Sequence, residues 1–92
     1  MIQSFKCKDT QALYEGENPR RFKAFATVAE RKLTQLDAAQ TLNFLKAPPG
    51  NHLEALKDDR KGQHSIRINS QWRICFKWTE VGPTDVEIVD YH

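Results

Sequence analysis

Soft metal ligands are scarce in this chain. Its 92 residues include two cysteines, Cys7 and Cys75, which stand near opposite ends with no CxxC pair. That is too little for a disulfide framework. The three histidines, His52, His64 and His92, share no HxxxH spacing. A structural zinc site gathers about four ligands at tight spacing, so neither a metal nor another cofactor is expected. Both cysteines read most simply as small hydrophobes in strands. No apolar run approaches the ~20 residues of a membrane span, and residues 1–7 carry no signal-peptide core. The expectation is a cytoplasmic protein with no membrane contact. Length leaves room for one domain, residues 1–92, because roughly 100 residues is the commonest domain size. Internal repeats and low-complexity tracts are absent as well.

Charge of one sign is also in short supply. Fourteen Lys/Arg face twelve Asp/Glu, a net +2, which is not the signature of an autonomous DNA-binding domain. The distribution is more telling. Residues 1–50 carry +3 and residues 51–92 carry −1. Lys57, Arg60, Lys61, Arg67, Arg73 and Lys77 are crowded into one stretch that holds only Asp58 and Asp59 as counter-charges. A polyanion would meet the molecule there. The Arg20/Arg21/Lys23 and Arg31/Lys32 groups read first as a solvated helix face, with contact to a partner as their functional alternative.

What is present is clear periodicity. Ile2, Phe5 and Cys7 suit a short first strand. Asn18 as cap and Pro19 at the first helical position open a helix. Phe22, Phe25, Ala26, Ala29, Leu33 and Leu36 then form one apolar stripe over about five turns. Asp37 and Gln40 resemble a capping box for a second short helix with Ala38, Leu42 and Leu45, which Pro48-Pro49-Gly50 ends. The period then changes to two. A short strand around Leu53–Leu56, a charged turn at 57–62, a strand at His64–Ile68, a turn at Asn69-Ser70 and a strand at Trp72–Trp78 follow. Gly82-Pro83 leads into a last strand that runs on to Tyr91-His92. The fold class is α+β, with an N-terminal strand and two helices packed on one face of a C-terminal antiparallel meander. Alternation sends Ile66, Ile68, Trp72, Ile74, Phe76, Trp78, Val86 and Ile88 toward the helices. Arg67, Arg73, Lys77 and Tyr91 fall on the other face, where they suit a phosphate chain and a stacked base. His64 alternates with Ile66 and Ile68, so it reads first as an inward or edge histidine, with RNA contact as the alternative.

Several segments together resemble a known family. They are Gly50-Asn51-His52-Leu53-Glu54-Ala55-Leu56-Lys57, the Asp59-Arg60 pair, Ser65-Ile66-Arg67-Ile68-Asn69, Gln71-Trp72-Arg73-Ile74-Cys75-Phe76 and Val86-Glu87-Ile88-Val89-Asp90-Tyr91-His92. This pattern resembles the HigB toxins of the RelE/ParE superfamily, over essentially the whole chain and most densely after residue 50. The resemblance implies a RelE-like fold and a type II toxin–antitoxin toxin. It further implies a metal-independent endoribonuclease that cuts mRNA in the A site of the 70S ribosome. The partners implied are a HigA-like helix-turn-helix antitoxin, the ribosome and mRNA, with operator DNA reached only through the antitoxin.

Metal-free RNA cleavage uses the ribose 2′-OH as nucleophile. It needs a base, an acid for the leaving 5′-oxygen, and positive charge on the phosphorane. His92 titrates near neutrality and suits either proton role. Tyr91 suits stacking or proton donation, and Asp90 suits orienting His92 or taking a proton itself. Arg73 and Lys57 suit the scissile phosphate, and Arg60, Arg67, Lys77 and His64 the flanking RNA. Two departures from the family stand out. Asp58 replaces a turn glycine, and Glu54 stands where some relatives carry histidine. His52, two residues away on the same side of an extended strand, is a substitute candidate for that histidine. Two other readings remain open at this point: a ParE-like toxin that inhibits gyrase by binding, and a catalytically degenerate co-regulator that only binds antitoxin.

Overall fold

Trp72–Thr79 is the strand around which the molecule is built. A computed structural model describes residues 1–90; Tyr91 and His92 lie outside the described residues. The element order is helix α1 (Lys8–Tyr14), helix α2 (Ala26–Ala38), then strands β1 (Glu54–Ala55), β2 (His64–Arg67), β3 (Trp72–Thr79) and β4 (Gly82–Asp90). The four strands form one antiparallel sheet in the order β1-β2-β3-β4. The α+β class and the meander are as the alternation implies. Ile66, Ile68, Ile74, Phe76, Val86 and Ile88 are buried against Leu13, Phe22, Phe25, Ala29, Leu33, Leu36 and Leu45 in one cluster, with Trp72 and Trp78 packed at its margin.

The N-terminal half departs from expectation in three places. The first strand reduces to a single parallel bridge, Phe5 to Val86. Residues 3–10 instead lie along β4. Gln3 N donates to Pro83 O, Val86 N to Ser4 O, Lys6 N to Val86 O and Ile88 N to the buried Thr10 Oγ1. Cys7 therefore sits at the start of α1 and not in a strand. Gly82 permits this close approach. Its φ is +131°, and a Cβ there would sit 2.2 Å from the Met1 carbonyl oxygen.

The long helix also begins differently. Arg20–Phe25 is a 3-10 segment, and α2 starts only at Ala26. In a 3-10 turn residues i and i+3 eclipse. Phe22 and Phe25 thus stack above one another and both meet Trp72, at ring-centroid distances of 5.9 and 5.0 Å. Tertiary packing of three rings overrides the continuous helix. Asp37, finally, opens no helix. It lies in the last turn of α2, where its carboxylate accepts from Ile2 N at 2.8 Å. Burial, and then the adjoining Asp37, raise the Tyr14 hydroxyl above its ordinary pKa. The next segment, Leu42–Lys46, is a 3-10 turn capped by Thr41 Oγ1, which accepts from Phe44 N at 3.2 Å.

Candidate functional site

Two consecutive rows of side chains cross the sheet on the face away from the helices. Glu54, Ser65, Cys75 and Glu87 are cross-strand neighbours in one row, and Arg67 and Arg73 pair in the next. This face is far from bare. Gln63, Ser65 and Cys75 are buried although no helix covers them. Arg60, from the 3-10 turn Asp58–Arg60 after β1, accounts for part of the cover. Its Nη1 donates to Glu87 Oε1 at 2.9 Å and to Gln63 Oε1 at 3.2 Å. Lys6 Nζ stands 3.9 Å from the same carboxylate oxygen. Burial pushes the Cys75 thiol up to about 11, against opposing pulls from the Arg60 and Arg73 charges. A thiol held protonated in this way is a filler, not a nucleophile.

Arg73 is held in a defined pose. Its Nε donates to Ser65 Oγ at 2.7 Å, and its Nη2 donates to the His52 carbonyl at 2.5 Å. Arg67 lies directly opposite Arg73, half-buried, with its Nε donating to Asn69 O at 3.0 Å. The two arginines start from paired positions and put two like charges on one face of the sheet, which an anion would offset.

The remaining sequence-selected residues fall in different places. Lys57 is exposed two residues after β1, immediately before the 3-10 turn Asp58–Arg60. The loop keeps the glycine-type conformation there, because Asp58 adopts φ +55°. Asp is among the few side chains that tolerate this region. Lys77 shares the Arg73 face but lies four residues, about 13 Å, further along β3, 3.8 Å from Asp85 Oδ2. Asp85, at φ +52°, occupies the bulge where the β3–β4 register shifts. Asp90 ends β4 opposite Trp72 and accepts from Gln71 Nε2 at 3.0 Å. Tyr91 and His92 follow it in sequence and lie outside the described residues.

His64 is not brought to the Arg73 face. Its ring stacks on Phe76, 6.3 Å between centroids, on the helix side of the sheet. Its Nδ1 is buried with no hydrogen-bond partner among the described residues. It borders a cavity of about 340 Å³ between Leu42, Lys46 and Leu53 at the β1 edge. His52 is in no strand. It follows the 3-10 turn Pro49–Asn51 in a left-handed conformation, φ +44°. What it gives the site is its backbone carbonyl, a role no residue type announces. Ser65 and Glu87, by contrast, are legible from alternation with Ile66 and Ile88. Among the described residues no group of three or more His, Cys, Asp or Glu gathers as a metal site. Among the same residues no helix is long and apolar enough to cross a membrane.

Comparison with known proteins converges on one family. Residues 3–92 match the model of the HigB-like toxins, described as the RelE-like toxin of the type II toxin–antitoxin system HigB. Toxin HigB-1 of Vibrio cholerae serotype O1 is 39% identical over 82 residues, covering 87% of this chain and 86% of that protein. An uncharacterized protein of Haemophilus influenzae is 41% identical over 51 residues, 55% of this chain and 50% of that protein. A match that runs from the bridge at Phe5 through the two-arginine face, with a near full-length relative beside it, places this chain in the HigB-like family of RelE-like toxins, which act in type II toxin–antitoxin systems with an antitoxin as partner.

Proposed function

We propose that the chain is a ribosome-dependent mRNA interferase that cleaves by 2′-OH attack and needs no metal. The observation that carries this reading is the Arg67–Arg73 cross-strand pair, with Arg73 fixed at Nε and Nη2. A fixed guanidinium aimed at a phosphate stabilises the phosphorane without reorganising during reaction. Arg73 takes the scissile phosphate and Arg67 a neighbouring one. Lys57, exposed at the rim, adds a mobile positive charge. Asp90, Tyr91 and His92 divide the proton transfers, with His92 able to titrate near neutrality. Arg60 serves mainly as the brace that pairs with Glu87, and Lys77 meets flanking RNA. The ribosomal A site supplies the substrate mRNA. A HigA-like helix-turn-helix antitoxin neutralises the toxin and carries the operator contact. The whole chain acts as one domain in the cytoplasm.

Primer extension on a reporter mRNA in a reconstituted translation mix tests this directly. Cuts at fixed codon positions are expected with ribosomes and wild type, and not with His92→Ala or without ribosomes. Absence of cuts under every condition would overturn the reading and favour a toxin that acts by binding.

A further inference from the structure

One fully buried polar side chain outside the site has its hydrogen bonds organised around the loop that meets Arg73. Asn51 is 0% exposed. Its Nδ2 donates to Leu45 O at 3.0 Å, to Ala47 O at 3.2 Å and to Gln35 Oε1 at 3.2 Å. Its Oδ1 accepts from Lys32 Nζ. Gln35 Nε2 also donates to Ala47 O. The side chain thus ties the loop at 47–51 to the middle of α2. The backbone follows the same plan, since Asn51 N donates to Pro48 O at 2.9 Å and His52 N to Pro49 O at 3.1 Å. These bonds fix the peptide after Asn51, and the next carbonyl is the one that receives Arg73 Nη2.

We propose that Asn51 is a positioning residue for Arg73, acting through the His52 carbonyl. The proposal rests on Arg73 being the phosphate-holding residue of the interferase reading. His52 occupies a left-handed conformation that a histidine adopts at a cost, so the loop needs an outside anchor to keep its carbonyl turned toward the sheet. Asn51 is that anchor. A buried amide whose two N–H groups are shared among three acceptors, and whose oxygen accepts from one donor, holds one orientation. Ser65 Oγ fixes the other side of the guanidinium. Acceptors on strand β2 and on the loop at His52 then orient Arg73, and a shift of either displaces the face offered to phosphate.

A double-mutant cycle tests it in programmed ribosomes, with folding followed by thermal melting. Asn51→Asp keeps the size and the Lys32 contact but faces three oxygens with an acceptor. Single-turnover cleavage is expected to fall about tenfold with the mRNA concentration dependence little changed. In the Arg73→Ala background the same substitution is expected to change cleavage less than about twofold, because its route of action is already gone. Equal losses in both backgrounds, or a loss confined to apparent affinity, would overturn the proposal. Should Asn51→Asp fail to fold, Lys32→Met loosens the anchor from α2 and must show the same non-additivity at about threefold. Full cleavage by Arg73→Ala would instead overturn the site reading, which keeps the two failures distinguishable.

Discussion

Both faces of the sheet hide residues from water, and they do so by different means. On the helix side, Ile66, Ile74, Phe76, Val86 and Ile88 meet α1, α2 and the Arg20–Phe25 turn in apolar contact. On the other side, Gln63, Ser65 and Cys75 are equally hidden, beneath Arg60, Glu87 and Arg73. The first face gains from removing hydrocarbon from water and tolerates small shifts in direction. The second depends on angles, because a misdirected donor leaves a buried group unsatisfied. The contrast suits a toxin. The apolar face gives the molecule stability, and the polar face gives one guanidinium a fixed orientation at the surface. A charged site on a loose loop would not have that orientation.

Substitutions separate the two faces. Phe76→Ala removes a fully buried ring from the apolar side and is expected to cost about 3–5 kcal/mol in urea unfolding. Arg73→Ala is expected to lower cleavage about a hundredfold, or about 2.7 kcal/mol of transition-state stabilisation, while the melting temperature moves by only a few degrees. A large loss of stability with Arg73→Ala would make the polar face structural. Cys75 gives a pH signature. The folded thiol titrates at about 11 against an ordinary value of 9.0. The folded chain therefore keeps a proton that the unfolded chain releases, and stability falls as pH rises through this window. The loss is expected to total about 2 kcal/mol, to be read by denaturant melts between pH 8 and 11, and to vanish in Cys75→Ala. Glu87→Gln breaks the brace on Arg60 and is expected to cost about 1 kcal/mol. Its effect should be largely lost when Arg60 is already replaced. The smallest effect runs the other way. Asp58 sits at φ +55°, so Asp58→Gly is expected to add about 0.5–1 kcal/mol, measured as a higher melting temperature.

The sequence made the apolar face legible and the polar face only partly so. Trp72–Trp78 alternates over seven residues, and β3 follows it. The stripe from Phe22 to Leu36 marks the right residues as buried, although three rings turn its first part into 3-10 structure. Helix α1 went unread because only Thr10 and Leu13 are buried in its seven residues, too few to show a period. Arg67 and Arg73 were legible by parity. The Arg60–Glu87 bond was not, since its partners are 27 positions apart and no local pattern pairs them. Nor was the Asp85 bulge, where one residue at φ +52° shifts the β3–β4 register. Arg60, a candidate for RNA contact by its charge, is bonded to Glu87 and Gln63 in the structure. His64 lies on the inward side that its alternation with Ile66 and Ile68 implies, stacked on Phe76 of the apolar layer.

The first ten residues have a consequence beyond their own contacts. They occupy the outer hydrogen-bonding positions of β4, from Pro83 to Ile88. A strand of nine residues with open N–H and C=O groups would be a template for another chain, the usual route to aggregation in sheet proteins. The opposite border, β1, is only two residues long, too short to recruit a partner strand firmly. Gly82, by letting the Met1 carbonyl approach, admits the segment that closes this edge.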